Sequence, residues 1–205
     1  MRDRLLLTQW LSPAFPLGAF AYSSGLETAI ADGHVSDAET LKDWLLVLIT
    51  QGNARQDAGI CALSHRGEDM TALARALTAS RERAEEAEAQ GAAFARTLAA
   101  MGCDVSPAPL PVAVGQAARN LDVSTPEVAA LYLQSYIGNL VTVAVRAIPL
   151  GQSDGQRVLG ELAGPIADTA DWGATATPDG LGSASFGADM AAMRHEVQEV
   201  RIYRT

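Results

Sequence analysis

The run from Val128 to Val145, VAALYLQSYIGNLVTVAV, holds no charged residue over eighteen positions. A stretch of about that length meets a crude threshold for crossing a bilayer. Gln134, Ser135, Asn139 and Thr142 interrupt it, however, and a helix apolar on most faces yet polar in places suits the centre of a helical bundle better than lipid. The run therefore sets the expected architecture: an all-α single-domain helical bundle built around one long, largely uncharged central helix, with no membrane span. Its ends are legible too. Ser124 or Thr125, with Pro126 and Glu127, caps the start, while Pro149 forbids continuation and Arg146 lies in the last turn. Hydrophobic residues reach 48% but aromatics only 5%, so Ala, Leu, Val and Ile must build the core, as in closely packed helices. A chain of 205 residues suits one core, hence a single domain over 1–205.

Charge excludes several functions. The chain carries 24 acidic and 15 basic residues, net −9, and Lys42 is its one lysine. Nucleic acid is not an expected partner, because phosphate contacts need a clustered basic surface. No Walker A loop can be written around a lysine that sits in TLKDW. Cys61 and Cys103 are too few for a disulfide framework and read as reduced thiols of a cytoplasmic protein. The opening MRDRLLLTQWLSPAF lacks the long apolar segment and cleavage site of an export signal.

Elsewhere the pattern is also helical. GLETAIADG makes a short helix ended by Gly33, and Ser36 to Glu39 fits a capping box opening a helix whose core face is Leu41, Trp44, Leu45, Leu48 and Ile49. That pattern runs through Gly52 and Gly59 to about Ser64. Residues 68–101 read as an exposed long helix or helix pair, with Arg81 and Glu85 self-paired and Glu82, Glu85, Glu86 and Glu88 on a solvated face. SPAPLP at 106–111 is an extended linker, a helix follows from Val112, and another spans 151–170, broken near Gly164 and Pro165. A Gly/Ser/Thr-rich loop at 173–187 is expected to be mobile, ahead of a functional carboxy-terminal tail at 188–205.

Chemistry is sparse. His34, His65 and His195 are the only histidines, and no nucleophile elbow is present. Cys61 and His65, four apart on one helix face, are weak candidate ligands for nickel or zinc; the plainer reading makes Cys61 a small core residue. Tyr132, Gln134, Tyr136 and Asn139 would supply polar contacts if the chain were instead an all-helical enzyme with a small-molecule site in the bundle centre. The stretch SPAFPLGAFAYSSGLE, residues 12–27, has no strand before it, which argues against a dinucleotide loop. It reads as a structural corner with Phe15, Phe20 and Tyr22 in the core, or as a surface for a partner.

Four segments occur in an order that resembles one family. SPAFPLGAFAYSSGLE, ASRERAEEAEAQG, YIGNLVTVAVRAIPLGQ and MAAMRHEVQEVRIYRT together are similar to the urease accessory protein UreF family, from about Leu7 to the last residue. Ser24 departs from the larger polar residue common at its position. The resemblance implies an all-helical, homodimeric, non-catalytic adaptor without a cofactor. In that family the adaptor links a UreD-type protein, also called UreH, to the nickel-carrying GTPase UreG and to the urease apoprotein, supporting nickel insertion. It implies that the matching positions Arg194, His195, Glu196, Arg201, Tyr203 and Arg204 face the UreD/UreH-type partner. Tyr22, Ser23 and Glu27 are then expected on a surface for the GTPase. Stimulation of that GTPase by an inserted arginine is a further reading, with Arg119 or Arg194 freer than Arg146 if Arg146 is buried.

Overall fold

The computed structural model describes all 205 residues, and its regular elements are all helices, with no strand. The α-helices are α1 (Arg2–Trp10), α2 (Leu26–Ala31), α3 (Ala38–Gln51), α4 (Asn53–His65), α5 (Thr71–Ala76), α6 (Arg81–Ala100), α7 (Leu110–Ala118), α8 (Thr125–Ala147), α9 (Gln152–Glu161), α10 (Ala163–Thr175) and α11 (Phe186–His195), with single 3-10 turns at Ala19–Ala21 and Pro178–Gly180. The main core joins Leu41, Leu45, Leu48 and Ile49 of α3 to Ala54, Ala58 and Ala62 of α4 and to Leu133, Ile137, Leu140 and Val141 of α8. A second cluster gathers Leu7, Trp10, Phe15, Phe94, Leu98, Val114 and Val128, with Trp10 set edge-on to Phe94 at 6.2 Å.

Helix α8 begins at a capping box of Ser124 and Glu127 and stops before Pro149. It is long and apolar enough to cross a membrane, but half of its most apolar window is buried within the protein. It is not ringed by neighbours as expected: Gln134 and Thr142 face solvent. The remaining polar groups tie it inward, Ser135 Oγ donating to the Leu11 carbonyl at 2.7 Å and Asn139 Nδ2 to that of Tyr22 at 3.2 Å.

Several local expectations are corrected. Asp37, not Ser36, caps α3: Asp37 Oδ1 accepts the Thr40 N–H at 2.9 Å while Thr40 Oγ1 accepts the Asp37 N–H at 3.1 Å. Helix α3 itself does not run on to Ser64, because the extended Gly52 divides it from α4. There the Gln51 carbonyl accepts the Ala184 N–H, at 2.7 Å, from the chain leading into α11. Arg81 pairs with Glu196 at 3.4 Å rather than with Glu85. Glu82 and Glu86 are buried, since they share with Arg83 and Gln90 the face of α6 turned to the body; only Glu85 fits the solvated reading fully. Glu88 is half-buried and pairs with Arg75. The break in the later helical segment falls at Leu162, and Pro165 occupies the first turn of α10, where its missing N–H costs nothing. Phe20 is exposed, so the corner buries Phe15 and Tyr22 without it.

The expected loop at 173–187 starts inside α10, which runs to Thr175. Arg66 closes that helix end, Nη1 donating to the Ala174 carbonyl and Nη2 to that of Ala176, each at 2.6 Å. Arg66→Ala is expected to lower stability by about 1–2 kcal/mol, the worth of charge-assisted bonds to a helix end. Arg66→Lys should restore less than half of that in urea unfolding, because an ammonium lacks the fork that spans both carbonyls.

The tight passage that fixes α6 is Gly91. A Cβ there would overlap the Ala108 carbonyl oxygen and lie 2.9 Å from its carbon and 3.0 Å from the Leu110 nitrogen, so the 106–111 linker crosses α6 backbone to backbone.

Candidate functional site

The corner at residues 22–27 is built to receive another stretch of chain. Ser24 at φ 54° and Gly25 at φ 82° turn the backbone into α2. A side chain at Gly25 would come within 2.6 Å of the Ala192 nitrogen, so α2 starts directly against α11. That turn aims Glu27 inward, with Oε1 accepting the Ile202 N–H at 2.7 Å and Oε2 the Tyr203 N–H at 3.0 Å.

His195, the last residue of α11, is fully buried between two carboxylates. Its Nε2 is 3.0 Å from Glu27 Oε2 and its Nδ1 2.7 Å from Glu82 Oε2. Both contacts are hydrogen bonds when each ring nitrogen carries a proton. Arg201 Nη1 donates to the other oxygen of Glu82 at 2.6 Å. One turn further along α6, Glu86 accepts from Arg83 Nη1 at 2.5 Å, from Gln90 Nε2 at 3.1 Å and from Thr205 Oγ1 at 3.0 Å. Burial works against the charge on Arg83, but Glu86, Tyr136 and Asp57 together more than offset it and hold the guanidinium in its charged form. Ser23 N–H and Oγ both donate to the Thr205 main-chain oxygen, and the Arg204 N–H donates to the Ala21 carbonyl at 2.8 Å. Residues 195–205 thus lie in a polar seat whose anchors are Glu27, Glu82 and Glu86.

What faces outward is apolar. Phe186, Met190, Met193 and Val197 recur at helical spacing as one exposed stripe. Val200 and Ile202, in the segment that follows, are each 84% exposed as well. The exposed arginines nearby in the chain are Arg194, paired with Asp32 at 2.8 Å, and Arg204, over the Tyr22 ring.

The expected sites are therefore regrouped. Tyr22 and Ser23 are buried and Glu27 points into the body, so the corner does not present these three to solvent. The physical reason is that Ser23 and Glu27 are occupied by residues 202–205, while Arg204 lies over the Tyr22 ring. Of the six carboxy-terminal residues, Arg194, Arg201 and Arg204 are exposed, Glu196 is half-buried, and His195 and Tyr203 are interior. Two groups expected on separate surfaces form one cluster. Sequence reading missed Glu82, Arg83, Glu86 and Thr205; the repeat of Glu82, Glu86 and Gln90 at helical spacing was the available signal.

Cys61 is buried in the second core cluster, where burial first and then Asp57 push its thiol far up. His65 Nδ1 is engaged with Thr125 Oγ1 at 2.9 Å. Tyr132 donates to Asp57 at 3.1 Å, Tyr136 accepts from Asn53 at 3.1 Å, and Gln134 faces solvent. The cavity beside Tyr132, Tyr136 and Asn139 measures about 40 Å³, room for about one water. Arg146, like Arg119, is exposed.

A family model described as UreF matches residues 35–163 of the chain. The chain is 52% identical over 205 residues to the urease accessory protein UreF of Cereibacter sphaeroides (strain ATCC 17023), covering 98% of both. It is 51% identical to the urease accessory protein UreF of Jannaschia sp. (strain CCS1), over 98% of this chain and 94% of that one. The urease accessory protein UreF of Rhizobium etli is 41% identical, over 98% of this chain and 96% of its own.

Proposed function

The chain belongs to the UreF family of urease accessory proteins, and on that premise we propose that it is a non-catalytic adaptor in urease maturation. It joins a UreD/UreH-type protein to a nickel-carrying UreG-type GTPase and to the urease apoprotein, as a homodimer, and so supports nickel insertion. The observation that carries this reading is the division of residues 195–205 into a polar side seated on Glu27, Glu82 and Glu86 and an apolar side left in solvent. A surface stripe of large apolar residues ending in a pinned segment suits recognition of another protein. We assign it to the UreD/UreH-type partner, with Arg194, Arg201 and Arg204 as its polar rim. Tyr22, Ser23, Glu27, His195 and Tyr203 then serve by holding the segment in shape.

Co-purification with the UreD-type and UreG-type proteins, followed by light scattering for mass, tests the adaptor. Val200→Glu with Ile202→Glu is expected to abolish capture of the UreD-type protein without moving the melting temperature, since both side chains are exposed. Retained capture would refute the assignment. A second reading, stimulation of the GTPase by an arginine, is favoured by the exposure of Arg146 as well as Arg119 and Arg194. Single-turnover GTP hydrolysis with and without this chain separates activator from scaffold.

A further inference from the structure

Asp57 of α4 is largely enclosed, its side chain 14% exposed, where α6, α8 and α11 converge, and the adaptor role makes no use of it. Its Oδ2 accepts the Tyr132 hydroxyl at 3.1 Å and stands 3.7 Å from Arg83 Nη2. Glu86 and Tyr136 act on it from α6 and α8, Cys61 lies one turn on along α4, and Asp189 of α11 lines the adjoining cavity. Burial dominates these influences and pushes the Asp57 carboxyl up to about 6, against the pull of Arg83 and Tyr132.

The cavity measures about 30 Å³ and is lined by Asn53, Gln56, Asp57, Arg83, Ser183 and Asp189. Asn53 Oδ1 and Gln56 Oε1 are buried without a hydrogen-bond partner. The Gln56 amide has one sensible orientation, because its Nε2 donates to the Leu77 carbonyl at 3.4 Å and a flip would set oxygen against oxygen. A water-sized space with bare acceptors beside a carboxyl fits one water, which gives Asp57 a hydrated neighbour from which to gain or lose a proton.

Arg83 connects this point to the end of the chain. Its Nη1 donates to Ser24 Oγ at 2.9 Å and to Glu86, and both partners hold Thr205: Glu86 Oε2 and the Ser24 N–H each lie 3.0 Å from Thr205 Oγ1. An ionised Asp57 competes for the guanidinium, whereas a neutral one leaves it wholly to Ser24 and Glu86.

We propose that Asp57 and the water-sized cavity beside it form a proton-operated clasp, which loosens residues 201–205 when the carboxyl ionises and tightens them when it is protonated. The clasp belongs to the chain alone and stands whether or not the segment meets a UreD/UreH-type partner. His195, between Glu27 and Glu82, faces the same segment and must be separated from it.

Hydrogen exchange of the Ile202, Tyr203 and Arg204 amides in the full chain, corrected for intrinsic rate from about pH 5 to about pH 8, reads the clasp directly. Wild type is expected to lose about tenfold in protection with a midpoint near the Asp57 titration. Asp57→Asn should keep the high protection at both ends of the range. Tyr132→Phe, which removes a bond to the ionised form, should move the midpoint to higher pH. Flat protection in wild type would overturn the proposal. So would an Asp57→Asn profile that falls as in wild type, which would place the effect on His195. Should Asp57→Asn fail to fold, an unmoved midpoint in Tyr132→Phe would overturn it equally.

Discussion

Glu27→Ala is expected to free residues 196–205 while leaving the helical core folded. One carboxylate receives the N–H groups of Ile202 and Tyr203 and a ring nitrogen of His195, all at 3.0 Å or less. Bonds to a charged acceptor are each worth about 1.5–3 kcal/mol, and emptying a buried cluster of one partner costs about 3–5 kcal/mol. What remains to hold the segment is Glu82 on Arg201 and Glu86, Ser23 and Ser24 on Thr205, with little apolar burial beside them, because Val197, Val200 and Ile202 are turned to solvent and only Tyr203 and Thr205 go inside. Trypsin should then cut after Arg201 about a hundredfold faster, as expected when local opening becomes about 3 kcal/mol easier. Far-UV dichroism should hardly change, and capture by the UreD-type protein should fall with the release. Glu27→Gln keeps one acceptor and should fall between. Unchanged cleavage in Glu27→Ala would mean that the seat does not hold the segment.

Gly91→Ala should be the most damaging single methyl group in the chain. In an exposed helix alanine is better than glycine by about 1 kcal/mol, and Gly160 on α9, where a Cβ meets nothing within 4 Å, should gain up to that amount. At Gly91 the same change drives a methyl into the backbone of Ala108, which cannot rotate away as a side chain would. Overpacking against fixed backbone costs about 3 kcal/mol or more, so the melting temperature should fall by about 6 °C or more in a chain of this size. Opposite signs for Gly91→Ala and Gly160→Ala in one thermal series check the argument. A neutral Gly91→Ala would show that the linker at 106–111 can move off α6.

Whatever depended on neighbours in the chain was legible beforehand. Ser124, Pro126 and Glu127 mark the start of α8 because a cap is made by residues three positions apart, and Pro149 ends it for an equally local reason. Ser36 against Asp37 shows the limit, since two overlapping boxes are chemically plausible and the geometry chose the one closed by Thr40. Glu82 and Glu86 were legible as sharing one side of α6 with Gln90, but not as an inward side. Charges on an Ala-rich helix read as solvated, and what buries these two arrives from Arg201 and Thr205, each 119 positions away. The odd composition of residues 12–27 marks a corner, but its occupant, residues 202–205, comes from the far end of the chain. The stripe of Phe186, Met190, Met193 and Val197 was present in the spacing but divided between the expected loop at 173–187 and the tail at 188–205.

Lys42 is tied to Glu161 at 3.1 Å, on α3 and α9, which contribute nothing to the seat of the last residues. Every other side-chain cation is an arginine or a histidine. Amine-directed coupling to a sensor chip would therefore attach the molecule through Lys42 or the exposed Met1 end alone. Immobilised through Lys42 it would leave residues 195–205 free, so on- and off-rates for a candidate partner can be recorded without an added tag.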